Sequence, residues 1–404
     1  MRLALQRLGS PGRRFPAIQI AGTNGKGSTA AMTESILRVA GFKTGLFTSP
    51  HLSRFTERIR IGGVECDGER LAAIDARVVA TGVPLTYFEV ATALAFVLMA
   101  EEEVDVAVLE TGLGGRLDAV TTCQPLATAI TSIGLDHTDY LGTTLREIAG
   151  EKAGIVKPDV PLYLGDLPAV AEEEILRIAQ STGAPAFCLG QDFPPLPPEL
   201  RALSLAGSHQ RNNAALAVAL ATTAATALGR ALTPTMIAAG LAGVNWPGRL
   251  ERIGDDILLD CAHNSEGATA LGAALPSLLS RSGSDHAALV LSVVAGKDLP
   301  AILTPLLPLF DVVVATTSRN PRALPAATLA AAIRSIQPPP RNLEVVTDPN
   351  EAIATARRLL GHPADNDSAE PPLIVVTGSV FLVGEVRAHL LGEPSDPQPV
   401  SDPV

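Results

Sequence analysis

Short apolar runs alternate with longer segments of helical periodicity along most of the chain. In the first part, the apolar or β-branched runs read as buried strands at residues 17–21, 43–48, 104–110, 127–131 and 160–164. The segment that follows the first run predicts a helix continuing to Val39. Alternating strands and helices are typical of βαβ units with mostly parallel sheets. The pattern therefore predicts an α/β protein.

A second series of strands begins after Trp246, at residues 256–260, 288–294, 311–317 and 373–377. An alanine-rich helix at about 213–228 precedes it, and the proline-dense segment 191–198 is predicted to be a loop. We expect two domains, at residues 1–248 and 249–392. Residues 361–372 are predicted to be a polar surface loop, and residues 393–404 a disordered tail.

Composition and charge narrow the class of protein. The chain has 404 residues, of which 47% are hydrophobic and 18% charged, which fits a globular protein with more than one core. Its net charge is −11 and no run of Lys or Arg exceeds a pair, so we expect neither nucleic acid nor membrane as partner. The four cysteines show no zinc or disulfide spacing. Without a signal peptide or heptad pattern, the protein is expected to be cytoplasmic and monomeric.

A glycine-rich turn joins the first strand to the first long helix. Residues 18–29 read IQIAGTNGKGST, which points backbone N–H groups and a helix N-terminus at one place and suits a polyphosphate. Lys26 would contact the β- and γ-phosphates, and Ser28 would bind Mg²⁺. The spacing is a variant of the strict Walker A motif. A purely structural turn is the alternative, but the lysine, the hydroxyls and the strand-to-helix context favour nucleotide binding.

Other polar residues follow predicted strands, where ligand-binding groups of an open α/β sheet project. Glu110 ends the run 104–110 and is a natural Mg²⁺ ligand. His137 follows another strand, but a lone histidine is more often structural. In the second domain, Asp260, Lys297 and Arg319 or Arg322 are expected to share one rim facing the nucleotide.

Several strings together resemble one family. GTNGKGS at 22–28 is the phosphate loop of the Mur ligase superfamily. TSPHL at 48–52, ETGLGGRLDA at 110–119, TSIGLDHTDYL at 131–141, EKAGIVKP at 151–158, PGRL at 247–250 and DCAHN at 260–264 resemble, in order and spacing, the folylpolyglutamate synthase and dihydrofolate synthase family. The resemblance implies a P-loop ATP-binding domain followed by a Rossmann-like domain. It also implies an ATP-dependent ligase that adds L-glutamate to dihydropteroate, to reduced folates, or to both, through an acyl phosphate.

The resemblance also implies the site residues. It assigns ATP contacts to Asn24, Gly25, Lys26, Gly27, Ser28, Asn213, Arg249 and Asp260. Two Mg²⁺ ions would be held by Ser28, Ser49, Glu110, His137 and Lys152, the last as a carbamate formed with CO₂. The pterin or folate would lie against Thr86, Tyr87, Phe88, Glu89, Leu117, Asp118 and Ala119. The adjacent rings of Tyr87 and Phe88 suit stacking on a flat heterocycle, and packing in the core is the alternative. Catalytic roles fall to Lys26, Lys152, Asp260 and His263.

Further candidate roles and the alternative functions rest on weaker patterns in the sequence. A capping box formed by Thr144 and Glu147 predicts that Lys152 lies on a helix, where a lysine is ordinarily a surface charge. The loops at 297–298 and 318–322 are candidates for binding the glutamate carboxylates, and His51, Arg54 and Arg58 for steering the anionic substrate. A Mur-type peptidoglycan ligase and an NTP-hydrolysing switch protein are the alternative functions.

Overall fold

The structure, a computed structural model, describes residues 1–200, 203–279, 286–361 and 372–397. The N-terminal part builds an eight-stranded sheet in the order β4-β3-β2-β5-β1-β6-β7-β8. All neighbours are parallel except for β3, which is antiparallel to both β2 and β4. The strands are β1 Ala17–Ala21, β2 Thr44–Phe47, β3 Ile59–Ile61, β4 Val64–Glu65, β5 Val106–Glu110, β6 Pro125–Ile130, β7 Leu162–Leu164 and β8 Ala186–Cys188.

Helices cover both faces of this sheet, since apolar side chains point from it in both directions. On one face α2, α8 and α9 enclose a core with β1, β5 and β6, and on the other face α3 and α4 enclose a second core. The helices are α1 Arg2–Arg7, α2 Lys26–Val39, α3 Gly68–Val79, α4 Tyr87–Glu101, α5 Thr138–Leu141, α6 Leu145–Lys152, α7 Ala169–Thr182, α8 His209–Ala227 and α9 Pro234–Ala242.

The C-terminal part builds a six-stranded sheet in the order β13-β12-β11-β14-β10-β9, parallel except for β9. Its strands are β9 Glu251–Ile253, β10 Ile257–Leu259, β11 Ala287–Leu291, β12 Val312–Ala315, β13 Asn342–Val345 and β14 Leu373–Thr377. Helices α10 and α12 pack on one face and α13 and α14 on the other. The helices are α10 Ser265–Leu279, α11 Leu299–Leu303, α12 Ala326–Ser335, α13 Pro349–Leu360 and α14 Val380–Leu391.

The order of strands places a ligand site at the end of β1. This strand lies between β5 and β6: the chain first adds β2 to β5 on one side of β1 and then β6 to β8 on the other. Such a switch point opens a crevice at the carboxyl ends of the strands. The loop that follows β1 is the glycine-rich turn at 22–25.

The structure confirms the predicted α/β class, and the predicted buried strands are present. The run at 160–164 is a strand only over Leu162–Leu164, after Pro161, which lacks a backbone N–H. Of the predicted surface loop, residues 362–371 lie outside the described residues. We propose the domain boundary at residues 248–249, because the first sheet ends at Cys188 and the second begins at Glu251.

The start of the predicted tail makes defined contacts. Glu393 pairs with Arg54 and Arg387, and the Asp396 N–H donates to Ser53 O. Residues 398–404 lie outside the described residues. Among the described helices, none combines the length and apolar character needed to cross a bilayer.

Candidate active site

A cavity of about 630 Å³ lies where the first sheet's strand ends face the C-terminal domain. Its lining contains every residue that the family resemblance assigned to the site except Tyr87. From the N-terminal domain come Asn24, Gly25, Lys26, Gly27, Ser28, Ser49, Thr86, Phe88, Glu89, Glu110, Leu117, Asp118, Ala119, His137, Lys152 and Asn213; beyond the proposed boundary come Arg249, Asp260 and His263.

The glycine-rich turn is held in one conformation by its neighbours. Gly22 and Gly25 have φ of 149° and 84°, values that favour glycine. A Cβ would also lie 2.0 Å from Thr131 Oγ1 at position 22, and 2.4 Å from Asn213 Oδ1 at position 25. Thr131 Oγ1 donates to Asn24 O at 2.6 Å, which fixes the turn to the end of β6. The backbone is therefore preorganised before any phosphate binds.

Two polar side chains of the predicted phosphate site start α2. Lys26 Nζ folds back onto the turn and donates to Thr23 O at 3.1 Å. Ser28 is buried, and Gln210 Nε2 approaches its hydroxyl oxygen at 3.5 Å. Gln210 in turn accepts from Asn213 Nδ2 at 3.0 Å. Helix α8 thus supports the beginning of α2.

Glu110 is a buried carboxylate at the end of β5. It is 4% exposed and accepts from the Ser49 N–H at 3.1 Å. Burial raises the pKa of Glu110, and the charges of Lys26 and Arg249 oppose that shift. A Cβ at Gly27 would lie 3.4 Å from Glu110 Oε2, so this carboxylate faces the first turn of α2. A cation beside it would stabilise its ionised form.

The donors in this region fit Mg²⁺ better than a softer metal. Among the described residues, no three His, Cys, Asp or Glu side chains come together in a metal-binding cluster. Glu110, Ser28 and Ser49 offer one carboxylate and two hydroxyl oxygens. Mg²⁺ is commonly bound by one or two carboxylates together with substrate phosphates.

Lys152, at the end of α6, points into the cavity. It is 5% exposed and its Nζ donates to Gly22 O at 2.9 Å. Burial, with the neighbouring charge of Lys26, lowers the pKa of Lys152 to about 7. In a large fraction of the protein molecules Lys152 is therefore a neutral amine at neutral pH. The neutral amine is the form that reacts with CO₂.

Asp136 joins the two domains at the cavity wall. Lys297 of the C-terminal domain forms an ion pair with it, and Asn264 Nδ2 donates to it at 2.9 Å. His263 Nε2 and His137 Nε2 lie 3.8 and 4.0 Å away. Although burial opposes the shift, the charge of Lys297 and the hydrogen bond from Asn264 lower the pKa of Asp136. Asn24 and Asn264 add a reciprocal pair of amide hydrogen bonds between the domains.

His137 and His263 are both neutral at neutral pH. Burial lowers the pKa of His137 to about 4, against the charge of Asp136. Burial and then Lys297 lower the pKa of His263 to about 4. Neutral imidazole is the form of histidine that can bind a metal or accept a proton.

Asp260 fixes the turn that carries Arg249. Its carboxylate accepts from the backbone N–H groups of Leu250 at 3.0 Å and Ala262 at 2.9 Å. Burial raises the pKa of Asp260, and Arg249 opposes that shift. Arg249 thereby reaches the cavity from the junction between the domains.

The part of the cavity lining that includes Phe88 and Leu117 is more apolar. Phe88 lies over Gly112, where a Cβ would be 2.5 Å from the ring. Leu117 is 81% exposed beside it, so an apolar side chain faces the open space. Asp118 accepts from the backbone N–H groups of Gly112 and Leu113, which gives it a structural role in this turn. Burial raises the pKa of Asp118 to about 6.

Tyr87 differs from its prediction. It lies one position from Phe88 on α4, and its ring packs at 6.0 Å on Phe55, with the Arg58 guanidinium 5.3 Å from its centre. Successive residues of a helix point in directions about 100° apart, so only one of the two rings can face the cavity. Glu89 lines the cavity, yet its carboxylate caps α4 with Thr86 and pairs with the N-terminal amine.

Several basic residues also lie elsewhere than predicted. Arg319 lines a separate cavity of about 380 Å³ with Glu385, so the expected rim does not include it. His51 and Arg58 are buried and hydrogen-bonded to each other at 2.8 Å, and Arg54 pairs with Glu65 and Glu393. His51, Arg54 and Arg58 lie outside the lining that the described residues give this cavity. Lys297 reaches the cavity edge through its ion pair with Asp136.

The polar lining residues that the sequence analysis missed include Asp136, Asp166, His209, Gln210 and Glu266. The spacing His209-Gln210-x-x-Asn213 held a signal, because residues four apart share one face of a helix. Asp166 follows β7, so the strand-end rule could also have found it. Glu266 reaches the N-terminal domain through its acceptance of the Leu135 N–H, a contact between domains that no local pattern reveals.

Comparison with known proteins identifies the parts of the chain. Residues 20–161 match the model of the Mur ligase middle domain, and residues 250–390 match that of the dihydrofolate synthetase C-terminal domain. The dihydrofolate synthase/folylpolyglutamate synthase of Mycobacterium tuberculosis is 36% identical, over 97% of this chain and 88% of the relative. The protein of the same description from Bacillus subtilis is 32% identical, over 96% and 94%.

Solved structures agree with these sequence matches. M. tuberculosis folylpolyglutamate synthase complexed with ADP and AMPPCP superposes with a TM-score of 0.88 at 34% identity, covering 98% of this chain and 95% of that one. E. coli FolC in complex with DHPP and ADP gives a TM-score of 0.82 at 29% identity, with coverage of 96% and 92%. The chain therefore belongs to the folylpolyglutamate synthase and dihydrofolate synthase family, ATP-dependent ligases that join glutamate to folate substrates.

Proposed function

We propose that this chain is a bifunctional ligase that adds L-glutamate to both dihydropteroate and reduced folates. One observation carries the proposal: the phosphate loop, the two-domain polar cluster around Asp136 and the apolar wall at Phe88 line a single cavity. Nucleotide, glutamate and folate can therefore meet in one space. The cavity is completed within one chain, which supports action as a monomer.

The first step would transfer the γ-phosphoryl group of ATP to the acceptor carboxylate. A carboxylate oxygen attacks phosphorus, the bond to the β-phosphate oxygen breaks, and ADP leaves with an acyl phosphate formed. Lys26 and Arg249 would stabilise the negative charge that spreads over the transferred group. Asn24, Gly25, Gly27, Asn213 and Asp260 would hold the nucleotide in line.

Two Mg²⁺ ions would fit this region, the first held by Ser28, Ser49 and Glu110 and the second by His137 and a carbamate on Lys152. Bound there, they would neutralise phosphate charge during transfer. Lys152 supports the carbamate because it is buried and largely neutral at pH 7. A protonated ammonium could not bind a cation.

In the second step, the amine of L-glutamate would attack the acyl carbon. The tetrahedral intermediate collapses with release of phosphate, and the nitrogen gives up its proton as the amide forms. His263 is a neutral imidazole at the cavity wall and would contact the incoming glutamate. Lys297, which its ion pair with Asp136 holds near the cavity, would attract the carboxylates of the incoming glutamate. The acceptor would lie along Thr86, Phe88, Glu89, Leu117, Asp118 and Ala119.

The decisive experiment supplies purified protein with ATP, Mg²⁺, L-glutamate and either dihydropteroate or tetrahydrofolate, and follows both ADP release and product mass. A glutamyl mass increment on both acceptors is expected. An increment on one acceptor alone would reject bifunctionality. ADP release without a glutamylated product, or turnover only with a UDP-sugar peptide, would reject the folate ligase in favour of an NTPase or a Mur-type enzyme.

A further inference from the structure

The segment after α14 returns to the N-terminal domain. Gly392 ends the helix with φ of 65°, and residues 393–396, which we call the strap, run along the loop at 49–57, which we call the Ser49 loop. The Asp396 N–H donates to Ser53 O at 2.8 Å, and the Phe55 N–H donates to Asp396 Oδ2 at 2.7 Å. The strap is thus hydrogen-bonded to a loop more than 300 residues earlier in the sequence.

Glu393 connects that loop to the junction between the domains. Its Oε2 accepts from Arg54 Nη1 at 3.1 Å and from Arg387 Nη1 at 2.7 Å. Arg387 Nε donates to Glu251 Oε1 at 3.0 Å, and Glu251 Oε2 accepts from the Gly248 N–H at 2.8 Å. A continuous chain of polar contacts therefore runs from the Ser49 loop to the turn at 248–250.

Both ends of this chain border the active site. Ser49 donates its backbone N–H to Glu110, and Arg249 lies in the turn at 248–250 and lines the cavity. The carboxylate of Glu57 accepts from the N–H groups of residues 52, 53 and 54, which stiffens the Ser49 loop. A displacement at Ser53 would therefore be carried towards Ser49.

Helix α14 packs directly against the Ser49 loop. The Ser53 hydroxyl donates to Gly384 O at 3.1 Å, and Ser53 is fully buried. A Cβ at Gly384 would lie 2.0 Å from Leu52 O, which shows how closely the two backbones approach. The loop is therefore seated on α14, and the strap is hydrogen-bonded to it at Ser53, Arg54 and Phe55.

We propose that Glu393 and Asp396 are positioning residues, which set the Ser49 loop against the turn at 248–250 so that both walls of the cavity are placed for phosphoryl transfer. This inference rests on the proposed ligase function. Partly exposed ion pairs contribute little to folding stability. Small displacements of catalytic groups, by contrast, can cost a large factor in rate. The strap is therefore expected to matter for turnover more than for folding.

The test compares full-length variants in the ligase assay. For Glu393→Ala/Asp396→Ala, kcat should fall about 10-fold while KM for ATP and for the folate changes less than about 2-fold. The melting temperature should change by only a few degrees. Glu393→Gln/Asp396→Asn keeps an acceptor oxygen at each position and should recover most of kcat. Glu173→Ala, which removes the exposed partner of Arg146, is the control and should behave as the wild type.

Each outcome decides the question. A double-alanine variant with wild-type kcat would overturn the proposal, as would an equal loss of kcat in the Gln/Asn variant. If the double variant does not fold, the single alanine variants are measured, and kcat unchanged in both would overturn it. A wild-type protein that forms no glutamylated product would instead reject the proposed function, so the two failures are distinguishable.

Discussion

We propose Lys26 as the cation that contacts the γ-phosphate, because it opens α2 and its ammonium lies against the glycine-rich turn. Replacement by alanine would remove charge stabilisation in the transition state, and single groups of this kind contribute on the order of 100-fold in kcat. We expect Lys26→Ala to lower ADP release by about that factor. Lys43→Ala removes an exposed lysine paired with Glu102 and is the matched control. Equal rates in the two variants would contradict the role of Lys26.

The proposed carbamate on Lys152 predicts that kcat depends on CO₂ and on pH. The pKa of Lys152, about 7, lies below the ordinary value for lysine, so the reactive neutral amine increases as pH rises through 7 and is lost as pH falls below it. Protein in ¹³C-bicarbonate should show a carbamate carbonyl signal by ¹³C NMR at pH 8, weaker at pH 6, and kcat should fall in the same direction. Lys152→Arg, which keeps a cation, should give neither the signal nor turnover. Full activity without CO₂ would exclude the carbamate.

The position of a single site residue could be predicted from the sequence where its place in a strand or at a strand end determines where the side chain lies. Glu110 and Asp260 end or follow strands, so their placement at the sheet's edge follows from the fold. Tyr87 was misplaced because the packing of α4, with Phe55 and Arg58 beside it, decides which ring faces the cavity. The ion pair between Asp136 and Lys297 joins residues of different domains, and no pattern along the chain encodes that distance.

At the scale of elements, we predict opposite changes in folding stability for alanine substitutions at two helical glycines, Gly384 and Gly150. A Cβ at Gly384 in α14 would meet the Leu52 carbonyl, which belongs to the backbone and cannot move cheaply. A Cβ at Gly150 in α6 would meet nothing within 4 Å. Gly384→Ala should destabilise the protein by about 1–3 kcal/mol through overpacking. Gly150→Ala should stabilise it by roughly 0.5 kcal/mol, because alanine favours the helix.

Denaturant unfolding of the two variants measures this contrast. The prediction concerns the sign as well as the size, so variants that shift in the same direction would contradict the close approach of α14 to the Ser49 loop. Because Gly150 lies near Lys152, the comparison uses stability alone and not activity.

Elements were predicted best where burial makes their pattern strong. The central strands β1, β5, β11 and β14 are buried along their length, and apolar runs revealed them. The edge strands β4 and β13 carry exposed residues, and β8 and β9 span only three residues each, so neither burial nor length marked them. The capping box of Thr144 and Glu147 was visible in the sequence and is formed in the structure.

At the scale of the whole molecule, the fluorescence of Trp246 should report nucleotide binding. It is the single tryptophan of the sequence, and a Cβ at Gly27 would lie 3.1 Å from its ring. The Arg60 guanidinium lies 5.3 Å from the ring centre on another side. Phosphate binding at the turn should change this environment, so ATP with Mg²⁺ should shift the fluorescence in a saturable way. The emission of Lys26→Ala should not respond at the same ATP concentrations; unchanged wild-type emission during calorimetrically detected binding would contradict the prediction.

The strap has a further mechanical consequence. The C-terminal domain is attached to the N-terminal domain at the start of its sequence, by the turn at 248–250, and again at its end, by residues 393–396. A rigid body pinned at two points can only rotate about the line that joins them. While both attachments hold, an opening of the cavity would be confined to rotation about that axis. Such a rotation would break the ion pair of Lys297 with Asp136 together with the Asn24–Asn264 and Leu135–Glu266 hydrogen bonds.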